Sequence, residues 1–79
     1  MFLKKIGANM ETIEFNDGTL ILFSYGTPVA GFIPSLGYVR TTEWFSSTTS
    51  KHINKWLKEI DKHATAVPQA VFEDRLAVL

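Results

Sequence analysis

Lys51, Lys55, Lys58 and Lys62 recur at intervals of three or four residues. At 100° per residue they fall within roughly 60° of one another on a helix, along a line about 16 Å long. Half of the chain's eight basic residues thereby share one stripe. Such a stripe has two readings. It is the solvated face of an amphipathic helix, or it is an electrostatic rail for the phosphates of a nucleic acid or for an acidic protein surface. Just upstream, Ser46-Ser47-Thr48-Thr49-Ser50 sets a run of hydroxyls at the start of the same helix. Unpaired N–H groups and the positive dipole end suit an anion there, yet hydroxyl residues also cap helices with no ligand at all. Arg40, from the preceding strand, is the expected partner of a bound anion. The candidate partner- or anion-binding residues are therefore Arg40, Thr49, Ser50, Lys51, Lys55, Lys58 and Lys62.

Other chemistries lack their residues. There is no cysteine, hence no disulfide, thiolate metal site or cysteine nucleophile. His52 and His63 are eleven residues apart, roughly 16 Å along a helix, and cannot share an ion whose nitrogen ligands sit about 2 Å away. No metal and no cofactor are expected. Neither a Gly-x-Ser-x-Gly elbow nor a phosphate-cradling glycine motif occurs. The eight acidic residues are scattered through polar segments and balance the eight basic ones, which excludes a polycation. A chain this short has little room for a pocket beside a core. The expectation is a protein that is not an enzyme. Among its aromatic residues, Phe23, Tyr25, Phe32, Tyr38, Trp44 and Phe45 read either as core or as a stacking platform for bases. Trp44-Phe45, between sheet and helix, is expected to lock one to the other.

The elements that must position these groups fit one domain of 79 residues, 46% of them apolar. The longest apolar run, Leu20 to Phe23, falls far short of the ~20 residues of a membrane span, and the opening residues lack the apolar region of a signal peptide. A soluble cytoplasmic domain with no membrane partner is expected. Residues 10–45 read as a β-meander. Thr12 to Phe15 alternate in polarity, and Asp17-Gly18 predicts a type I′ hairpin turn. Leu20 to Phe23 is apolar on both faces, as in a central strand covered on both sides. Gly31 predicts a bulge or a close approach to the backbone. From Tyr38, one face carries Tyr38, Arg40 and Thr42 and the other Val39 and Thr41. Residues 1–9 form an arm or an extra strand. The main helix is placed at 48–63, on the i, i+3, i+4, i+7 stripe Ile53, Trp56, Leu57 and Ile60. Pro68 opens a short helix over 68–77 or a tail, with Val71, Phe72, Leu76 and Leu79 on one side. The apolar end Leu76 to Leu79 suggests self-association. The fold class is α+β: an antiparallel three- to four-stranded meander packed by one main amphipathic helix, plus the C-terminal helix or tail.

Three blocks of residues carry a resemblance: Phe23-Ser24-Tyr25-Gly26-Thr27-Pro28-Val29-Ala30, Gly37-Tyr38-Val39-Arg40-Thr41, and Thr48-Thr49-Ser50-Lys51-His52-Ile53-Asn54-Lys55-Trp56-Leu57. In this order, over residues 11 to 57, they resemble a family of small uncharacterised proteins of bacteriophages and other mobile elements. The resemblance implies a phage or bacterial setting and carries no activity with it. The expected function is a non-catalytic binding module that engages a host or phage protein, in the host cytoplasm, and modulates host machinery. The alternative is a nucleic-acid-binding accessory protein that uses the lysine face.

Overall fold

The strand and turn residues of the first half build more sheet than their patterning predicts. The computed structural model describes residues 1–77. Its elements in chain order are β1 (Phe2–Gly7), β2 (Met10–Glu14), β3 (Leu20–Ser24), β4 (Thr27–Ile33), β5 (Gly37–Thr41), α1 (Ser47–Glu59), β6 (Thr65–Val67) and α2 (Gln69–Ala77). The strands lie side by side in sequence order. The first five are antiparallel, and β6 pairs parallel to β5. The fold is therefore α+β, with a six-stranded mixed sheet in place of the expected three or four antiparallel strands. Residues 1–9 supply β1 and its turn. A parallel neighbour requires a crossover, and α1 is that crossover between β5 and β6.

Both faces of the sheet are covered. Leu22, Val29 and Ala30 pack with Met10 against Ile53, Trp56 and Leu57 of α1. Ile21, Ile33 and Val39 pack on the other face against Phe72 of α2. Ile21 and Leu22 are both fully buried, as expected of a central strand whose apolar residues face both ways. The expected helical stripe is in place, with Trp56 only 5% exposed. The second helix is a full partner in the core, not a tail. Its Gln69 Nε2 donates to the Pro28 carbonyl at 2.6 Å, tying the start of α2 to β4. Leu76 is half-buried and Ala77 exposed. The rest of the apolar end assigned to self-association, Val78 and Leu79, lies outside the described residues.

Two expectations are corrected here, and the one for Gly31 holds in its close-approach form. Asp17-Gly18 is not a type I′ pair, because Gly18 has φ +94° but Asp17 does not have a positive φ. Gly18 N–H donates to Phe15 C=O and Phe15 N–H to Thr19 C=O, the three-residue loop with a glycine bulge. The two-residue hairpin with both φ positive is Tyr25-Gly26, at +52° and +77°. Gly31 is required by close approach: a Cβ there would collide with the Leu20 carbonyl of β3. The bulge in that pairing lies beside it, at Leu22/Phe23. Finally, α1 ends at Glu59 rather than at residue 63. Asp61 takes φ +53°, its N–H donates to Lys58 C=O, and Lys62 N–H reaches back to Leu57 C=O. Those two bonds are a Schellman stop, with an aspartate where glycine is usual.

Candidate functional site

The start of α1, the β3–β4 turn and the β5–α1 loop meet at one end of the sheet. They meet there because β4 runs antiparallel to both its neighbours, so the Tyr25-Gly26 turn and the residues after Thr41 share that end. Ser46 is the N-cap, with an extended backbone and its hydroxyl accepting the Thr49 N–H at 3.0 Å. The Thr49 hydroxyl is shared with Ser46 Oγ at 3.2 Å and with Ser24 Oγ at 3.1 Å. Ser24 Oγ also lies 2.8 Å from His52 Nδ1. The His52 ring stacks on Tyr25, with centroids 5.6 Å apart. The Tyr25 N–H donates to Asn9 C=O of the β1–β2 turn. A hydroxyl and imidazole chain thus binds the end of β3 to the first two turns of α1.

This chain fixes the role of the hydroxyl run. Thr49 is buried, with its hydroxyl already engaged inside the protein. Thr49 follows the Ser46 cap in the first turn, and its hydroxyl faces Ser46 and Ser24 inside the protein rather than solvent. Ser50 is half-buried in the same turn. Arg40 does not stand over the helix start: it donates to Asn54 Oδ1 at 3.1 Å, two turns into α1. A Ser–His contact is the first requirement of a nucleophilic site. Here Ser24 is only 1% exposed, and its oxygen faces the interior of the hydroxyl chain.

The lysine stripe is shortened. Lys51, Lys55 and Lys58 stand exposed on α1. Among the described residues, none of the three has an acidic partner within ion-pair distance. Lys62 lies past the helix stop and sits over the Tyr38 ring, 5.9 Å from its centroid. The stripe stops there because Asp61 turns the chain.

The aromatic residues divide differently from either expectation. Phe32 and Tyr38 pack side by side at 4.9 Å, and Tyr38 meets Trp56 at 6.2 Å. That face of the sheet lies under α1, so it is no open platform. Trp44 and Phe45 do not lock sheet to helix: they are 73% and 40% exposed. Tyr25, 55% exposed, stands at the same end. Sequence reasoning named these three among six aromatic residues but not as the exposed ones, because an exposed tryptophan and a buried one carry the same local pattern. Among the described residues, no three histidine or carboxylate side chains gather as a metal would need.

The sequence model of a family of unknown function, DUF8033, matches residues 1–74. The chain belongs to that family. The match runs from β1 into α2 and so takes in the whole sheet, both helix faces and the exposed aromatic end, well beyond the blocks between residues 11 and 57. No curated protein and no solved structure matches the chain.

Proposed function

We propose that the chain is a non-catalytic binding module that engages a protein partner through the end of the sheet where Tyr25, Trp44 and Phe45 stand exposed. The observation that carries this reading is Trp44, 73% exposed beside a second exposed ring in Phe45. Tryptophan and tyrosine anchors supply a disproportionate share of interface energy, and an exposed cluster of large apolar side chains marks an interaction site more often than an inert surface. Tyr25 adds to it. A bulky residue at positive φ is uncommon and strained, and here its ring is held outward on His52. The mobile-element setting, a host cytoplasm and modulation of host machinery belong to the same proposal and rest on the sequence blocks alone.

Trp44→Ala and Tyr25→Asn test it. The first removes an exposed ring. The second turns the loop into Asn-Gly, the preferred type I′ pair, so the hairpin is retained. Affinity capture from host cells, with mass spectrometry of the eluate, should lose the specific partner in both variants. Unchanged capture by both would sink the reading.

One observation favours nucleic acid as a second reading. Lys51, Lys55 and Lys58, with no ion-pair partner among the described residues, continue from the aromatic end along α1, the combination of cations and rings that single strands bind. Three phosphate contacts would give a log–log salt slope of about −2 to −3. Anisotropy of labelled DNA and RNA at about 50 mM salt separates the two: no binding there leaves the protein-partner reading alone.

A further inference from the structure

The strand at the open edge of the sheet carries two lysines on opposite faces. β1 is first in the strand order and pairs with β2 alone. Phe2 to Lys5 are all exposed, with Phe2 and Leu3 at 63% and 60%. The helices pack chiefly on β3 and β4; on the α1 side Lys4 and Ile6 line a cleft with Glu14, Trp56, Glu59 and Ile60, and the outer edge of β1 carries no further strand among the described residues. Lys4 lies opposite Thr12, which is opposite Leu22, and so shares the α1 side with Phe2. Lys5 lies opposite Glu11 and shares the other side with Leu3. Among the described residues, neither lysine is in an ion pair.

A bare edge is a template for another strand, and edge lysines restrict which strand it accepts. A second copy of β1 is a poor candidate. Antiparallel pairing centred on Lys4 or on Lys5 sets a lysine directly opposite its own copy, which is destabilising. Pairing centred on Leu3 avoids that contact but still gathers four ammonium groups within about one Debye length. A strand with acidic residues at the same positions meets the opposite balance.

We propose that β1 is a docking edge for an extended acidic segment of a partner protein. The segment adds as a seventh strand, antiparallel to β1, with acidic residues opposite Lys4 and Lys5 and apolar residues opposite Leu3 and Phe2. Main-chain bonds along β1 supply the affinity, as in other strand additions. The lysines project to opposite faces, so two consecutive acidic residues are read and the register is set. This edge is remote from Trp44, which follows β5 near the other side of the sheet, and the inference does not depend on the aromatic end.

The probe is the acetylated, amidated peptide Thr-Thr-Glu-Glu-Val-Val-Thr-Thr, with a counterpart carrying Lys-Lys in place of Glu-Glu. Both are titrated into the full chain and followed by amide NMR. The acidic peptide should shift and protect the Phe2–Gly7 amides and bind at least about tenfold more tightly than its counterpart, an advantage that added salt erodes. The double variant Lys4→Glu/Lys5→Glu should reverse that preference. Lys4→Gln/Lys5→Gln, a milder change at the same exposed positions, should abolish it. Equal binding of the two peptides, binding without protection of the β1 amides, or a preference that survives the glutamine variant would overturn the proposal. None of these outcomes bears on capture through Trp44.

Discussion

Ser24 Oγ of β3 lies 2.8 Å from His52 Nδ1 of α1, across 28 residues of sequence. The same oxygen meets Thr49 Oγ1 at 3.1 Å, so one small hydroxyl joins the central strand to both the first and the second turn of the helix. Ser24→Ala removes the shared partner of two groups. An unmade bond at a buried polar group costs about 1–3 kcal/mol. Thr49 keeps its bond to Ser46, so the loss should fall in the lower half of that range. Urea unfolding should show a lower midpoint with an unchanged slope. An unchanged midpoint would mean that the chain of hydroxyls contributes no stability.

Trp56 is the larger test of the same packing. It is 5% exposed between the sheet and the rest of α1 and touches the Tyr38 ring. Truncating a buried tryptophan costs about 3–5 kcal/mol. A domain this small holds only about 5 kcal/mol in reserve. Trp56→Ala should therefore leave little folded protein at 25 °C, as read by loss of the cooperative thermal transition.

Ile53, Trp56 and Leu57 were legible because helical spacing is a local property that burial then exploits. The double-sided burial of Ile21 and Leu22 was legible for the same reason. β6 was not. Three residues, Thr65-Ala66-Val67, show no period, and a parallel strand has no turn beside it to announce its partner. The true end of α1 was hidden as well, since Asp61 lacks the stop signal that glycine provides. The candidate site was legible only in part. The exposed lysines of α1 follow from the wheel, but the Ser24–His52 contact and the placing of Tyr25 and Trp44 at the same end of the sheet are made by topology across distant segments.

Gly31 allows a prediction of opposite character to a cavity. It sits in β4 against β3, where a Cβ would collide with the Leu20 carbonyl and crowd Ile21 Cα at 3.2 Å. Both neighbours are backbone, which cannot swing aside. Gly31→Ala should force the two central strands apart and cost at least the 1–3 kcal/mol typical of overpacking. Amide exchange across β3 and β4 should accelerate. A melt matching the wild type would show that the strands can separate locally without loss.

Asp61 points the other way. It holds φ +53° in the Schellman stop of α1, where an L-residue costs about 1 kcal/mol or more relative to glycine. As an acidic residue just past the last turn of α1, it also lies at the negative end of the helix dipole. Asp61→Gly relieves both, and the greater freedom of glycine in the unfolded chain offsets part of the gain. The net expectation is a stabilisation of about 0.5–1 kcal/mol. Calorimetry should show a Tm raised by several degrees, and Asp61→Ala should not reproduce it.

Asp17 makes stability depend on pH. Thr19 N–H donates to its Oδ1 at 2.9 Å, and this bond, ahead of the Arg75 guanidinium 4.0 Å away, holds the carboxyl below the usual carboxylate range. A group whose pKa is lower in the folded state stabilises the fold above its unfolded pKa, near 4, and loses that contribution as pH falls through the folded value. The window therefore lies on the acid side of about pH 5. Asp17→Asn keeps an oxygen to accept the Thr19 N–H and cannot titrate. Thermal melts from about pH 6 to pH 2 should fall more steeply for the wild type than for the variant, with the curves converging at the acid end. The side chain is open to solvent, so salt should flatten the part of the difference that comes from Arg75 and leave the part that comes from the Thr19 bond. Parallel curves at all pH values would show that Asp17 has the same pKa folded and unfolded.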